Sequence, residues 1–401
     1  MLPERKEGNS TVNFFTLLYF LLIDFYLILL QVRASGFEND VYNIRLNLLY
    51  AIVILSGVFV CIRLFRFRQD KVFLFVLSFA AYLFFSIFYL SHHPYKLVDI
   101  FNVFFGPMVF LASICALRNI NGKTFNIIIL QKTAFFLASI SVLLIGYFYL
   151  TSSSGTFKNT IYYSVSLVPF LLMYKNVNFT IVLVIIVALL ALLVGKRAAL
   201  AICLIISIFL AFQIGAGRKG LLRFSSGLKT LLSLFGLITI ILAVWWFAEI
   251  FVSSGLERMV SVSSDGGSGR IELLKAFLHE VSFASLPNHL IGHGGIFHLQ
   301  LIGSLSVHND FLEIYFRLGL IGLVIYLLCG YQLVRSGLTI RKKFRKEGAA
   351  FLLVVCLFTL FSMISMLIFV PGYVVQFFVF FALVHGRYSQ KPFGQNNRAT
   401  I

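Results

Sequence analysis

Two stretches of this chain place cations where chemistry on an anion would need them. Lys196 and Arg197 stand side by side in Gly195-Lys196-Arg197-Ala198-Ala199, in a short turn between two long apolar runs. Arg258, Arg270 and Lys275 follow in a polar stretch that ends at His308, directly before Asn309, Asp310 and another apolar run. A guanidinium clamps a phosphate through two parallel hydrogen bonds, and an ammonium adds a point charge beside it. An imidazole, with an unperturbed pKa of about 6.5, takes a proton from a hydroxyl near neutral pH. Several cations, one such histidine, few carboxylates and no Asp-x-Asp pair suit a substrate with a large anionic leaving group and an acceptor hydroxyl that needs a base. Lipid-linked pyrophosphate sugars have this chemistry.

Each of these residues has a plainer alternative. Lys196 and Arg197 can snorkel to lipid head groups, and His308 can cap a helix or meet head groups. Arg317 lies two turns beyond Asp310 in the same apolar run, where a charge is costly in lipid, and is expected to face a bundle cavity. Gly319 and Gly322 are expected to do no more than permit close helix packing. Asp24, in the first apolar run, is expected to pair with a cation or to couple to protons. His279, His289, His293, His298 and His308 share one stretch, so a metal site has to be weighed. His279-Glu280 is followed by Val281-Ser282-Phe283, without the second histidine of a zinc-binding helix. No metal and no other cofactor is expected. Cys61, Cys115, Cys203, Cys329 and Cys356 have no paired spacing and read as packed or lipid-facing small hydrophobes.

The elements that must hold these residues are helices in a lipid bilayer. The chain is 60% hydrophobic and 12% charged over 401 residues, whereas soluble domains are roughly half apolar and about a quarter charged. Backbone in lipid must satisfy its own hydrogen bonds, and the apolar runs are too long and continuous for alternating barrel strands. The expected fold is therefore all-α, a polytopic transmembrane helix bundle of twelve spans at about 20 residues each. The spans fall at 12–32, 44–62, 72–90, 100–117, 133–150, 161–174, 179–194, 198–214, 230–251, 311–334, 349–370 and 373–384. The last is short and separated from its neighbour by Pro371-Gly372, so a re-entrant or interfacial segment is its alternative.

Residues 1–251 thus carry nine spans, 252–310 form one large periplasmic loop, and 311–401 carry three spans and a tail. Most of the 33 Lys and Arg fall on one side, among them Arg63, Arg66, Arg68, Arg218, Lys219, Arg223, Arg335, Arg341, Lys342, Lys343, Arg345 and Lys346. The positive-inside rule then puts both termini in the cytoplasm. Topology absorbs most of the net charge of +18, which leaves no support for a nucleic-acid partner. No Gly-rich phosphate loop follows a strand, which argues against ATP-driven work. Within the loop, Arg270 opens an amphipathic helix with Ile271, Leu274, Phe277 and Leu278 on one face and Glu272, Lys275 and His279 on the other. It is expected to lie at the membrane surface or to pack on the bundle.

Three motifs resemble the superfamily of bacterial O-antigen ligases and polysaccharide polymerases. They are Gly195-Lys196-Arg197-Ala198-Ala199; Ser268-Gly269-Arg270-Ile271-Glu272 with Gly292-His293-Gly294-Gly295; and His308-Asn309-Asp310-Phe311-Leu312-Glu313 running to Gly322. The resemblance implies a metal-independent, inverting glycosyl transfer on the outer face of a bacterial inner membrane, with an undecaprenyl-pyrophosphate-linked glycan as donor. By position, Arg197 and Arg270 would stabilise the departing pyrophosphate and His308 would activate the acceptor hydroxyl. Lys196, Arg258, Lys275, Asn309 and Arg317 would line the substrate site. Arg317, where many members carry an acid, and Lys196-Arg197, where ligases often have Ser-Arg, favour the polymerase branch over a ligase acting on lipid A-core. A chain-length regulator protein and the bilayer are the implied partners. The rival from another class is a transporter or flippase.

Overall fold

The computed structural model describes residues 8–34, 38–64, 70–90, 97–117, 270–294, 309–364, 368 and 370–388, with scattered helical positions between 136 and 207. Among these residues the regular elements are all helical and no strand occurs. The helices are α1 (Gly8–Ala34), α2 (Glu38–Arg63), α3 (Lys71–Phe85), α4 (Leu97–Leu117), α5 (Arg270–Ser282), α6 (Leu286–Ile291), α7 (Asp310–Lys343), α8 (Arg345–Ile364) and α9 (Pro371–Tyr388). Five runs are long and apolar enough to cross a membrane: Tyr42–Arg63, Lys71–Phe88, Leu97–Ala116, Asp310–Lys343 and Arg345–Met363. They mark a membrane protein. Shorter apolar runs, Leu18–Leu30 and Val374–Tyr388, belong to α1 and α9. Apart from the scattered positions, the spans expected between 133 and 251 lie outside the described residues.

Local chemistry explains where these helices start and stop. Asp70 caps α3, its carboxylate accepting from the Phe73 N–H at 3.1 Å. α9 starts on Pro371, whose missing N–H costs nothing in a first turn. α7 runs to Lys343, past the expected end at 334, because the extension is rich in helix formers and its last-turn cations complement the helix dipole.

The core centres on α9, which is buried at every position from 374 to 386. Gln376 and His385 are its buried polar side chains. α9 packs against α4 at Gly106, where an added Cβ would press on Phe378 and Val374. Ring pairs knit α9 to its neighbours: Phe110 with Phe378 at 5.4 Å and Phe351 with Phe381 at 5.3 Å, both edge-on. Lipid supplies no hydrophobic drive between helices, so such dispersion and ring-edge contacts carry the association. Cys115, Cys203 and Cys329 are buried, Cys61 and Cys356 exposed, and all five are free thiols. Lys196, Arg197 and Arg258, among the cations that Asp24 is expected to pair with, lie outside the described residues.

One polar tie crosses the core at the cation-rich end. Ser336 Oγ of α7 lies 2.7 Å from His385 Nδ1 of α9, and His385 Nε2 donates to Asp70 Oδ2 at 2.9 Å. All three groups are buried, so α3, α7 and α9 are held in one register by directional bonds in addition to packing. The α4–α9 contact yields a test: Gly106→Leu overpacks it and is expected to cost about 1–3 kcal/mol, read as a lower Tm in detergent. Gly330→Ala, where an added Cβ meets nothing within 4 Å, is the control that stays at the wild-type Tm.

Candidate functional site

α7 is two helices joined at a break. Gly319 has φ 65° and ψ −169°, outside the helical region, which separates residues 310–318 from the long helix after it. The break leaves the carbonyls at the end of the first half without helical donors, a costly state in a membrane interior. The segment after α6 supplies the replacements. The His293 N–H donates to the Phe316 carbonyl at 3.1 Å and the Gly294 N–H to the Arg317 carbonyl at 3.0 Å. The Tyr82 hydroxyl of α3 donates to the Leu318 carbonyl at 3.1 Å, with the Ile291 carbonyl at 3.4 Å. His293 Nδ1 donates a second bond to the Phe316 carbonyl at 3.1 Å, and its ring stacks on Phe316 at 4.2 Å.

This junction needs glycine on both sides. Gly292 and Gly319 have positive φ, and a Cβ on either would fall on the other's backbone, at Arg317 and Leu318 or at Leu290 and Ile291 respectively. The expectation that Gly319 and Gly322 only ease packing therefore holds for Gly322, which Leu318 and Tyr82 cover, and fails for Gly319. The Gly292-His293-Gly294 run closes the end of the half-helix.

The half-helix is charged inside. Asn309 caps it, its Oδ1 accepting from the Phe311 and Leu312 N–H groups at 3.0 and 3.2 Å, while its Nδ2 donates to the Met363 carbonyl of α8 at 3.0 Å. Asp310 is buried, and both carboxylate oxygens accept from the Ile368 N–H at 3.2 Å. Glu313 and Arg317 form a buried ion pair one turn apart, with Arg317 Nε and Nη2 donating to Glu313 Oε1 at 2.7 and 2.6 Å. Beside them, His289 Nδ1 lies 2.6 Å from the Tyr315 hydroxyl.

α5 docks on this half-helix through Phe277, whose ring meets Phe316 at 6.1 Å with Leu312, Tyr315 and Val281 around them. The buried face of α5 is Leu273 and Phe277, while Leu274 and Leu278 are exposed. This corrects the expected apolar face: the bundle takes the 273/277 row, and the 274/278 row joins Phe283, Leu286 and Leu290 in an exposed apolar ridge. The helix both packs on the bundle and presents apolar surface outward.

The expected site residues fall into distinct positions. Asn309 is the cap of α7, and Arg317 is fully buried against Glu313 rather than open to a cavity. Lys275 is exposed on α5. Arg270 is the first residue of α5. His308, Arg197, Lys196 and Arg258 lie outside the described residues, although His308 immediately precedes the capped start of α7. The sequence reading missed Glu313 as the partner of Arg317, although the spacing of four on a helix was visible. It also missed His293 and Tyr82 as donors to a broken helix. The chain matches no protein-family model and no curated protein.

The ion pair makes a double-mutant prediction. Glu313→Leu and Arg317→Met are each expected to destabilise the protein by about 3–5 kcal/mol, because each leaves a buried charge without its partner. The double variant is expected to lose less than the sum, measured by thermal unfolding in detergent; additive losses would mean that the pair does not act as a unit.

Proposed function

We propose that the protein is a membrane glycosyltransferase that polymerises undecaprenyl-pyrophosphate-linked oligosaccharide repeats at the outer face of a bacterial inner membrane. Twelve spans with both termini in the cytoplasm are part of this reading. The observation that supports it is the docking of α5, which begins at Arg270, onto the half-helix that begins directly after His308. Two separate motifs, one opening with a cation and the other following the candidate base in sequence, thereby belong to elements that touch each other. The exposed ridge of Leu274, Leu278, Phe283, Leu286 and Leu290 beside it suits contact with the lipid surface from which a polyprenyl donor would come.

In this reading Arg197 and Arg270, assisted by Lys196, Arg258 and Lys275, stabilise the departing pyrophosphate, and His308 takes the proton from the acceptor hydroxyl. The hydroxyl oxygen attacks the anomeric carbon, the bond to the pyrophosphate breaks, and the configuration inverts. Arg317 and Asn309 hold the half-helix in place and so position His308. A chain-length regulator is the partner that such an activity calls for.

The deciding experiment is the surface-glycan ladder of cells lacking the gene, together with their undecaprenyl-linked glycans. Collapse to core plus a single repeat is the expected result. Bare core with long chains on the carrier would make the protein a ligase, and an unchanged ladder would remove both readings. Arg270→Ala and His308→Ala are expected to lower transfer by at least about a hundredfold while inserting normally, the lower end of the effect of losing a general base. Chelators are expected to leave the rate unchanged, whereas inhibition reversed by one added divalent ion would overturn the metal-independent step.

A further inference from the structure

α7 carries a second feature that glycan chemistry does not use. A cavity of about 230 Å³ opens between α7 and α8. Its deep wall is aromatic, with Phe79, Phe110, Phe358 and Phe378, and its mouth is formed by the exposed residues Leu327, Tyr331 and Val334 with Thr359 across from them. Gly330 lies in the mouth, where an added Cβ would meet nothing within 4 Å. A cavity of about 150 Å³ with such a lining stays dry and takes up hydrocarbon, so the lining of this one suits an apolar chain.

The same face of α7 continues into a second cleft, of about 900 Å³, lined by Arg335, Leu338, Arg341, Lys342 and Arg345. Positions 327, 331, 334, 338 and 341 recur every three or four residues, so the two clefts form one stripe along the helix. From Leu327 to Arg341 the helix rises about 21 Å, at 1.5 Å per residue. That is half of the roughly 40–45 Å thickness of a bilayer with its head groups. The stripe is therefore one leaflet long, apolar at the depth of the acyl chains and cationic at the depth of the phosphates. No carboxylate lines the cationic cleft among the described residues.

We propose that this stripe is a binding site for an anionic phospholipid of the leaflet at the cation-rich end, with an acyl chain in the aromatic cavity and its phosphate on Arg335, Arg341, Lys342 and Arg345. A cationic pocket between membrane helices is the kind of site that retains anionic head groups. Cations that served orientation alone would need no apolar cavity continuous with them on the same face. The cavity also borders Phe311 and Ile368 beside the half-helix, whereas the cations lie at the far end of α7, and the inference stands whether or not the protein transfers glycans.

The test is native mass spectrometry of the full chain purified in detergent and titrated with phosphatidylglycerol, with phosphatidylcholine of the same acyl chains, or with inorganic phosphate. Phosphatidylglycerol is expected to be retained as a single adduct at about tenfold lower concentration than phosphatidylcholine, a difference of about 1.4 kcal/mol. Replacing Arg335, Arg341 and Arg345 together by Ala is expected to abolish that preference. Gly330→Phe, which puts a ring into the mouth from an open position, is expected to lower retention of both lipids at an unchanged Tm. Equal retention of the two lipids by the wild type would overturn the proposal, as would unaltered retention in Gly330→Phe. Displacement of the lipid by an equal concentration of inorganic phosphate would also overturn it, by reducing the site to an anion patch.

Discussion

The constraint on which the helices around Gly319 depend is the satisfaction of backbone carbonyls where α7 breaks. Residues of a helix in a membrane find their hydrogen-bond donors within the helix, and a break removes them with no water to substitute. At Gly319 the carbonyls of Phe316, Arg317 and Leu318 are answered from two other elements, the turn after α6 and Tyr82 of α3. The break therefore cannot exist alone. It needs the Gly292–Gly294 turn against it, α3 behind it, and glycine on both sides of the contact. Once that junction is closed, α6 is fixed, and α5, which meets the same Phe316 through Phe277, completes the platform.

The charges inside the half-helix act in the same direction. Asp310 bonds to the backbone at Ile368, Asn309 to the backbone at Met363, and Glu313 holds Arg317. Buried ionic groups contribute little net stability after desolvation, but losing one partner is severe. Their effect is to restrict the arrangements available to residues 309–318.

α7 then divides the molecule into two chemical regions. Its N-terminal half is short, capped and internally paired, and it lies against polar helices. Its longer half faces outward along one stripe that passes from apolar to cationic. At that end the Ser336–His385–Asp70 tie and the aromatic packing of α9 fix the helices behind the stripe. The cavity between α7 and α8 thus has a rigid rear wall and an open front.

The sequence by itself determined the solvent and the secondary structure. Long uninterrupted apolar runs admit only helices in lipid; the ends of α4 and α9 fell within four residues of the expected spans, whereas α2 starts six residues early, α3 and α8 end five and six residues early, and cations prolong α7. It also singled out the right neighbourhood for the outer platform, since Gly292-His293-Gly294 and Asn309-Asp310 were conspicuous as residue types. Tertiary structure decided what those residues touch. Whether Gly319 is a packing residue or a break depends on a turn some 25 positions upstream in the chain. Whether Arg317 faces a cavity or Glu313, and whether α5 buries its 273/277 row or its 274/278 row, depends on which helix lies opposite. Hydropathy records transfer of a side chain into an apolar surrounding and is blind to direction, so it cannot distinguish lipid from a neighbouring helix. That distinction is made only by contact.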